Sequence, residues 1–173
     1  IFLEKMQLPK DRFRTDTSPH PFTTTISNDD VRITTNYEHP NPLFSFHSTI
    51  HEAGHALYEL NMPKGPYTYT VISDAPSLGL HESQSRFWEN MIARSRPFWD
   101  HFYPIFKHTT HPLFETISQD QWYRQVNAVT PSLIRVQADE LTYGLHIILR
   151  YELEKELIIG SINTSELPEQ WNE

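Results

Sequence analysis

The stretch Leu43-Phe44-Ser45-Phe46-His47-Ser48-Thr49-Ile50-His51-Glu52-Ala53-Gly54-His55-Ala56-Leu57-Tyr58-Glu59-Leu60 decides how this chain is read. Leu43, Phe46, Ile50, Ala53, Leu57 and Leu60 recur at three- and four-residue steps, the spacing of an amphipathic helix. The helix is expected to end near Asn61-Met62-Pro63. Inside it lies the pentad H-E-x-x-H, with His51 and His55 one turn apart on one face. Two imidazoles so placed can converge on one metal ion, while Glu52 stands beside a water on that ion. The alternative is two polar histidines on an exposed helix face, but Ala53 and Gly54 also leave room for a second element to approach closely.

The rest of the composition narrows the chemistry. The chain has 173 residues and no composition break, enough for the core of a single, partial domain covering 1–173. Fourteen Lys and Arg against 22 Asp and Glu give a net charge of −8, and no basic block offers a phosphate footprint, so nucleic acid is not an expected partner. Cysteine is absent, which leaves only nitrogen and oxygen donors for a metal. No apolar run is long enough for a membrane span and no signal peptide is evident, so a soluble, cytoplasmic protein without membrane partners is expected. The chain begins at Ile1 and stops at Glu173 without a closing element, and it reads as a fragment.

Outward from the pentad, residues 1–19 read as loop, with Phe2, Leu3 and Met6 as the remnant of a helix. Residues 22–26 and 31–37 are rich in Thr, Ile, Val and aromatics, and Ser27-Asn28-Asp29-Asp30 between them predicts a β-hairpin. His39-Pro40-Asn41-Pro42 stops the second strand. Gly and Pro between Pro63 and Gly79 predict a long irregular loop touching a short strand at 67–72. Helices are expected over 80–95, from Pro97 to about Lys107, and over 119–128. Thr130-Pro131-Ser132 is expected to start the longest helix, which runs to Ile159 with Arg135 and Asp139 inside it. Gly160 stops it, and Ser165-Glu166-Leu167-Pro168 begins a short final helix. The aromatics at Trp88, Phe98, Trp99, Phe102, Tyr103 and Phe106 recur along helical segments and read as core.

A catalytic zinc takes three protein donors and keeps a position open, so a third ligand is needed. His81-Glu82-Ser83-Gln84 is the best source, because the preceding loop brings its helix back beside the first and Glu82 completes a His2Glu set. The competing reading makes Glu82 a first-turn acid that complements the helix dipole. Glu59, one turn beyond His55, is a candidate to orient that imidazole, and Glu89 lies two turns beyond Glu82 on the same face.

Five segments now carry a family resemblance. His20-Pro21-Phe22, Asp30-Val31-Arg32-Ile33-Thr34, the pentad, His81-Glu82-Ser83-Gln84 and Ile134-Arg135-Val136-Gln137-Ala138-Asp139 resemble, in order, the H-P-F, D-x-R-x-T, H-E-x-x-H, H-E-S-Q and I-R-x-x-A-D signatures of the M32 metallocarboxypeptidases. The resemblance implies a mainly α fold: a helical zincin-like core with one small β-hairpin, part of a larger all-helical carboxypeptidase. It implies His51, His55 and Glu82 as metal ligands, Glu52 as the catalytic carboxylate, and a homodimer in the full-length protein. Two family features are not found, a later G-x-x-Q-D-x-H-W motif and a long N-terminal helical region, which again predicts a partial domain.

The expected function is zinc-dependent release of C-terminal amino acids from peptides with a free C-terminus, with cobalt as an alternative metal. Arginine suits a terminal carboxylate by its planar fork and permanent charge, and Arg32 and Arg135 are the candidates. Each also has a local acid, Asp30 for Arg32 and Asp139 for Arg135. His81 is a candidate to steady the oxyanion or to anchor the start of its helix. A zinc-binding fragment with a structural role and a gluzincin-type endopeptidase are the alternatives, since the pentad and a downstream Glu do not distinguish end cleavage from internal cleavage.

Overall fold

The computed structural model describes residues 2–37 and 41–172, in two compact units, Ile1–Val126 and Asn127–Glu173. The strand stop expected at His39-Pro40 lies outside the described residues. Among the described residues no helix is long and apolar enough to cross a membrane.

The first unit opens with α1 (Phe2–Lys5) and a three-stranded sheet, β1 (Phe13–Thr17), β2 (Thr23–Ser27) and β3 (Asp30–Thr35). β2 and β3 form the expected antiparallel hairpin, closed by Asn28 and Asp29. The sheet has a third strand where the sequence predicts loop, because β1 pairs parallel to β3 and makes β3 the central strand. β1 carries only five residues, and its pairing is formed with a strand beyond the next one in the chain, so local periodicity holds no trace of it.

Val31 and Ile33 of β3 are fully buried and pack with Met6, Leu8 and the Ala53, Ala56 and Leu60 face of α2 (Pro42–Leu60). Alternation along the strand sends Arg32 to the opposite face. The start of α2 follows from chemistry: the Asn41 side chain accepts from Leu43 N at 3.0 Å, and Pro42 occupies the first turn, where its missing N–H costs nothing. α2 thus turns Ala53 and Ala56 toward the sheet, in and beside the pentad, which lets the sheet lie close to it.

On its other side, α2 meets α3 (Leu78–Arg86), which is capped by Ser77 and passes directly into a π-helical turn, Phe87–Ile92. No strand forms at 67–72. Thr68 and Thr70 hydroxyls bond to nearby backbone there, and Tyr69 takes a left-handed φ of 64°, so the segment folds into turns that compete with extended pairing. α4 (Arg96–Thr109) starts at a Ser95 cap with Pro97 in its first turn, and α5 (Gln119–Val126) closes the unit. Trp99 is fully buried among Ile50, Phe98, Tyr103, Trp122 and Val126, as the aromatic spacing predicts. Each fully buried Ile or Val contributes about 1.5–3 kcal/mol, so Val31, Ile33 and Ile50 alone hold both sides of α2 firmly.

The second unit corrects the longest predicted helix. Residues 127–142 are irregular except for a 3₁₀ turn at Arg135–Gln137, and α6 covers only Tyr143–Ile159. Asp139 is the cause: its carboxylate accepts from Leu141 N, Thr142 N and Thr142 Oγ1 at 2.7–2.9 Å and from Thr130 N at 3.1 Å. A side chain that satisfies backbone donors in this way favours a turn over an uninterrupted helix. Gly160 ends α6 with a left-handed φ of 78°, and α7 spans Leu167–Asn172.

Candidate metal centre

The centre is assembled by two helices that touch through Gly54. A Cβ built on Gly54 would lie 2.7 Å from Ser85 Cα and 3.1 Å from the Gln84 carbonyl, so only glycine lets α3 come this close to α2. That approach sets Glu82, one turn before Ser85 and Arg86, against the two histidines of α2. Glu82 Oε2 is 3.2 Å from His55 Nε2 and 3.5 Å from His51 Nε2, and one donor atom from each of the three residues fits within 4.8 Å of the others. Bonds of about 2.0–2.2 Å in a tetrahedral site place neighbouring donors roughly 3.3–3.6 Å apart. The residues therefore fit a four-coordinate cation with nitrogen and oxygen donors, and the sequence-predicted trio is brought together.

Each imidazole is held from behind. His51 Nδ1 is 2.8 Å from Glu89 Oε2, and the same carboxylate accepts Arg86 Nη1 at 3.0 Å. His55 Nδ1 is 2.6 Å from His81 Nδ1, and His81 Nε2 is 2.6 Å from Glu59 Oε1. Glu59 reaches His55 through His81 and not directly, although it stands one turn beyond His55. Both ring nitrogens of His81 are thus occupied inside the protein.

The charges respond to this crowding. Burial works to lower the pKa of His51, but its bonds to Glu82 and Glu89 prevail and raise it to about 9. Burial works to raise Glu82, yet hydrogen bonds with His51 and His55 and the Arg86 charge hold it well below the usual carboxylate range. Glu89 likewise is lowered, against burial, by His51 and Arg86. His47, one turn before His51, is pushed down to about 3, chiefly by burial and then by the Arg94 charge. Its Nε2 is buried without a hydrogen-bond partner among the described residues.

Glu52 is buried, with Thr23 Oγ1 of β2 donating to its Oε2 at 2.6 Å and lying 3.1 Å from its backbone carbonyl. The sheet therefore anchors the carboxylate of the pentad. Sequence reasoning does not single out Thr23 or Arg86. Thr23 sits in an ordinary run of threonines 29 residues from its partner, and nothing local marks it.

The arginines have separate surroundings. Arg32 forms a two-point pair with Asp30, Nε to Oδ1 at 3.0 Å and Nη2 to Oδ2 at 2.7 Å, the local partner expected for it. Arg135 belongs to the second unit and does not follow the expected pairing with Asp139; its Nη1 donates to Tyr143 Oη at 2.6 Å and its guanidinium lies 5.7 Å from that ring.

Comparison with known proteins places this arrangement. The chain is 43% identical over 172 residues to carboxypeptidase 1 of Bacillus subtilis, covering 99% of this chain and 34% of that protein. It is 48% identical over 160 residues to thermostable carboxypeptidase 1 of Thermus thermophilus, covering 92% of this chain and 31% of that one. The crystal structure of the M32 carboxypeptidase of Deinococcus radiodurans matches with a TM-score of 0.91 at 41% identity, over 98% of this chain and 34% of that chain. The chain thus spans about a third of the length of the relatives it matches. The family model for carboxypeptidase Taq (M32) metallopeptidases matches residues 2–173, so a helix-borne His2Glu centre sits in a chain that belongs to the M32 metallopeptidase family.

Proposed function

We propose that this chain carries the zinc-bearing core of a carboxypeptidase that removes C-terminal residues from peptides. The observation that carries the proposal is the convergence of donor atoms of His51, His55 and Glu82 within 4.8 Å of one another, Glu82 Oε2 lying 3.5 and 3.2 Å from the two Nε2 atoms, with Glu52 next to His51 in the same helix. Nitrogen and oxygen donors in that geometry suit zinc, and cobalt is compatible with the same set. When bound, such a cation supplies Lewis-acid polarisation of the scissile carbonyl and a more acidic water.

The chain's own residues account for the rest. Glu52 takes a proton from the attacking water and returns it to the departing amine. Thr23 donates to Oε2 and so fixes which way the carboxylate points while leaving Oε1 available for that exchange. An enzyme acting at the C-terminus must also hold a free carboxylate, for which Arg32 and Arg135 are the proposed donors. The present partner of Arg135 is a phenol, whereas Arg32 must leave a two-point carboxylate pair.

The test is a matched pair of peptides, one with a free C-terminus and one amidated, incubated with the zinc-loaded protein. Stepwise loss of residues from the free acid with no product from the amide is expected. Equal cleavage of both, at internal bonds, overturns the carboxypeptidase reading in favour of an endopeptidase.

A further inference from the structure

We propose that His81 is a positioning residue for the metal: with Glu59 it fixes which nitrogen of His55 faces the cation. The proposal rests on the reading of His51, His55 and Glu82 as a metal centre. It follows from hydrogen counting along three side chains. A carboxylate has only lone pairs to offer, so the 2.6 Å contact between Glu59 Oε1 and His81 Nε2 requires the hydrogen on Nε2. A neutral imidazole with that hydrogen has a lone pair at Nδ1. The 2.6 Å contact between the two Nδ1 atoms then needs a hydrogen on His55 Nδ1, donated to His81. With a cation in place of the hydrogen that His55 Nε2 shares with Glu82 Oε2 at 3.2 Å, His55 keeps its lone pair on Nε2 for the metal.

The other arrangement is self-defeating. If His81 carried hydrogens on both nitrogens, its Nδ1 would donate to His55, and the neutral His55 ring would carry its hydrogen on Nε2. That hydrogen would occupy the position of the metal. A cation at Nε2 therefore selects the arrangement in which His55 donates to His81. The rings are kept in line by packing: the His81 ring lies 4.6 Å from that of His55 and meets the Tyr58 ring edge-on at 5.1 Å. His55, His81 and Glu59 side chains are all less than a quarter exposed, so these hydrogen bonds are little weakened by water. His51 is served differently, by one direct bond from Nδ1 to Glu89. The two ligands thus have unlike support, and only the His55 arm contains a residue that can act as donor or acceptor.

The experiment measures zinc affinity by competition with a chromophoric chelator, on the parent chain and on His81→Phe, His81→Asn and Glu59→Leu. The parent should bind one equivalent. His81→Phe and Glu59→Leu should bind roughly 10- to 100-fold more weakly, the usual effect of losing an outer partner of a metal histidine. His81→Asn should recover most of the loss, because its Oδ1 can accept from His55 Nδ1 as the imidazole did. Parental affinity in His81→Phe overturns the relay while leaving the metal centre standing, and so does an equal loss in His81→Phe and His81→Asn with unchanged thermal stability. Failure of the parent to bind zinc overturns the metal centre itself and the relay with it.

Discussion

Replacing Gly54 by alanine sets two well-understood effects against each other. In an exposed helix the change would stabilise by about 1 kcal/mol, since glycine is the weakest helix former apart from proline. Here the new methyl would stand 2.7 Å from Ser85 Cα, 3.1 Å from the Gln84 carbonyl oxygen and 3.2 Å from Trp88 Cδ1. Two of those atoms are backbone, so no side-chain rotation relieves the clash. Ordinary contact begins at 3.4 Å, and restoring it parts the helices by up to the difference, 0.7 Å. Overpacking of this kind costs about 1–3 kcal/mol, which cancels or exceeds the helix gain. The larger consequence falls on the metal. Glu82 rides on α3 three residues before Ser85, and metal–ligand distances tolerate only about 0.2 Å. A 0.7 Å displacement moves Oε2 out of reach of a cation held by His51 and His55. Gly54→Ala should therefore lower zinc affinity by at least tenfold, while the thermal midpoint of the metal-free chain falls or stays level. Chelator competition and thermal unfolding with and without EDTA measure both. A variant that gains the full 1 kcal/mol of helix stability and binds zinc as the parent does would refute the argument that the close approach at Gly54 builds the site.

Two further substitutions address other parts of the centre. Glu52→Gln keeps an oxygen for Thr23 to donate to, so metal content should be unchanged while turnover falls by about 10²- to 10⁴-fold; peptide hydrolysis at the parental rate would remove Glu52 from the role of base. His47, with its pKa pushed down to about 3, stays neutral in the folded chain while it takes a proton below pH 6.5 in the unfolded one. Its contribution to stability is complete above pH 6.5 and is lost as the pH falls toward 3, amounting to about 2 kcal/mol at pH 5. Urea unfolding at pH 7 and pH 5 should show that His47→Gln loses about 2 kcal/mol less than the parent over this interval. Equal losses would show that His47 is not held neutral by burial.

What the sequence discloses depends on how far apart the interacting groups lie. α2 is legible because its apolar period is local, and the three candidate donors are legible because two share a helix turn and the third lies in the next helix after a Gly- and Pro-rich loop. β1 is not, since its partner β3 lies beyond β2 and parallel pairing leaves no turn signal. The Thr23 to Glu52 bond is not either. It joins a strand to a helix, and Thr24 or Thr25, the next residues of β2, would look the same on paper. Glu59 is half legible: its spacing from His55 marks it as a supporting acid, but the intervening His81 appears only when α3 is laid against α2.

Arg135 shows how one misread element changes the chemistry assigned to a residue. In a continuous helix from residue 131, Asp139 would sit one turn beyond Arg135 and neutralise it. The chain instead turns at Asp139, whose carboxylate is filled by the backbone of Leu141 and Thr142 and by the Thr142 hydroxyl. Those bonds, together with Thr130 N, hold its pKa low against burial without any arginine. Arg135 is consequently left to a tyrosine, a partner that orients the guanidinium without cancelling its charge. Arginine carries its charge in either arrangement, but among the described residues the broken helix leaves that of Arg135 without the acid one turn along that a continuous helix would have supplied.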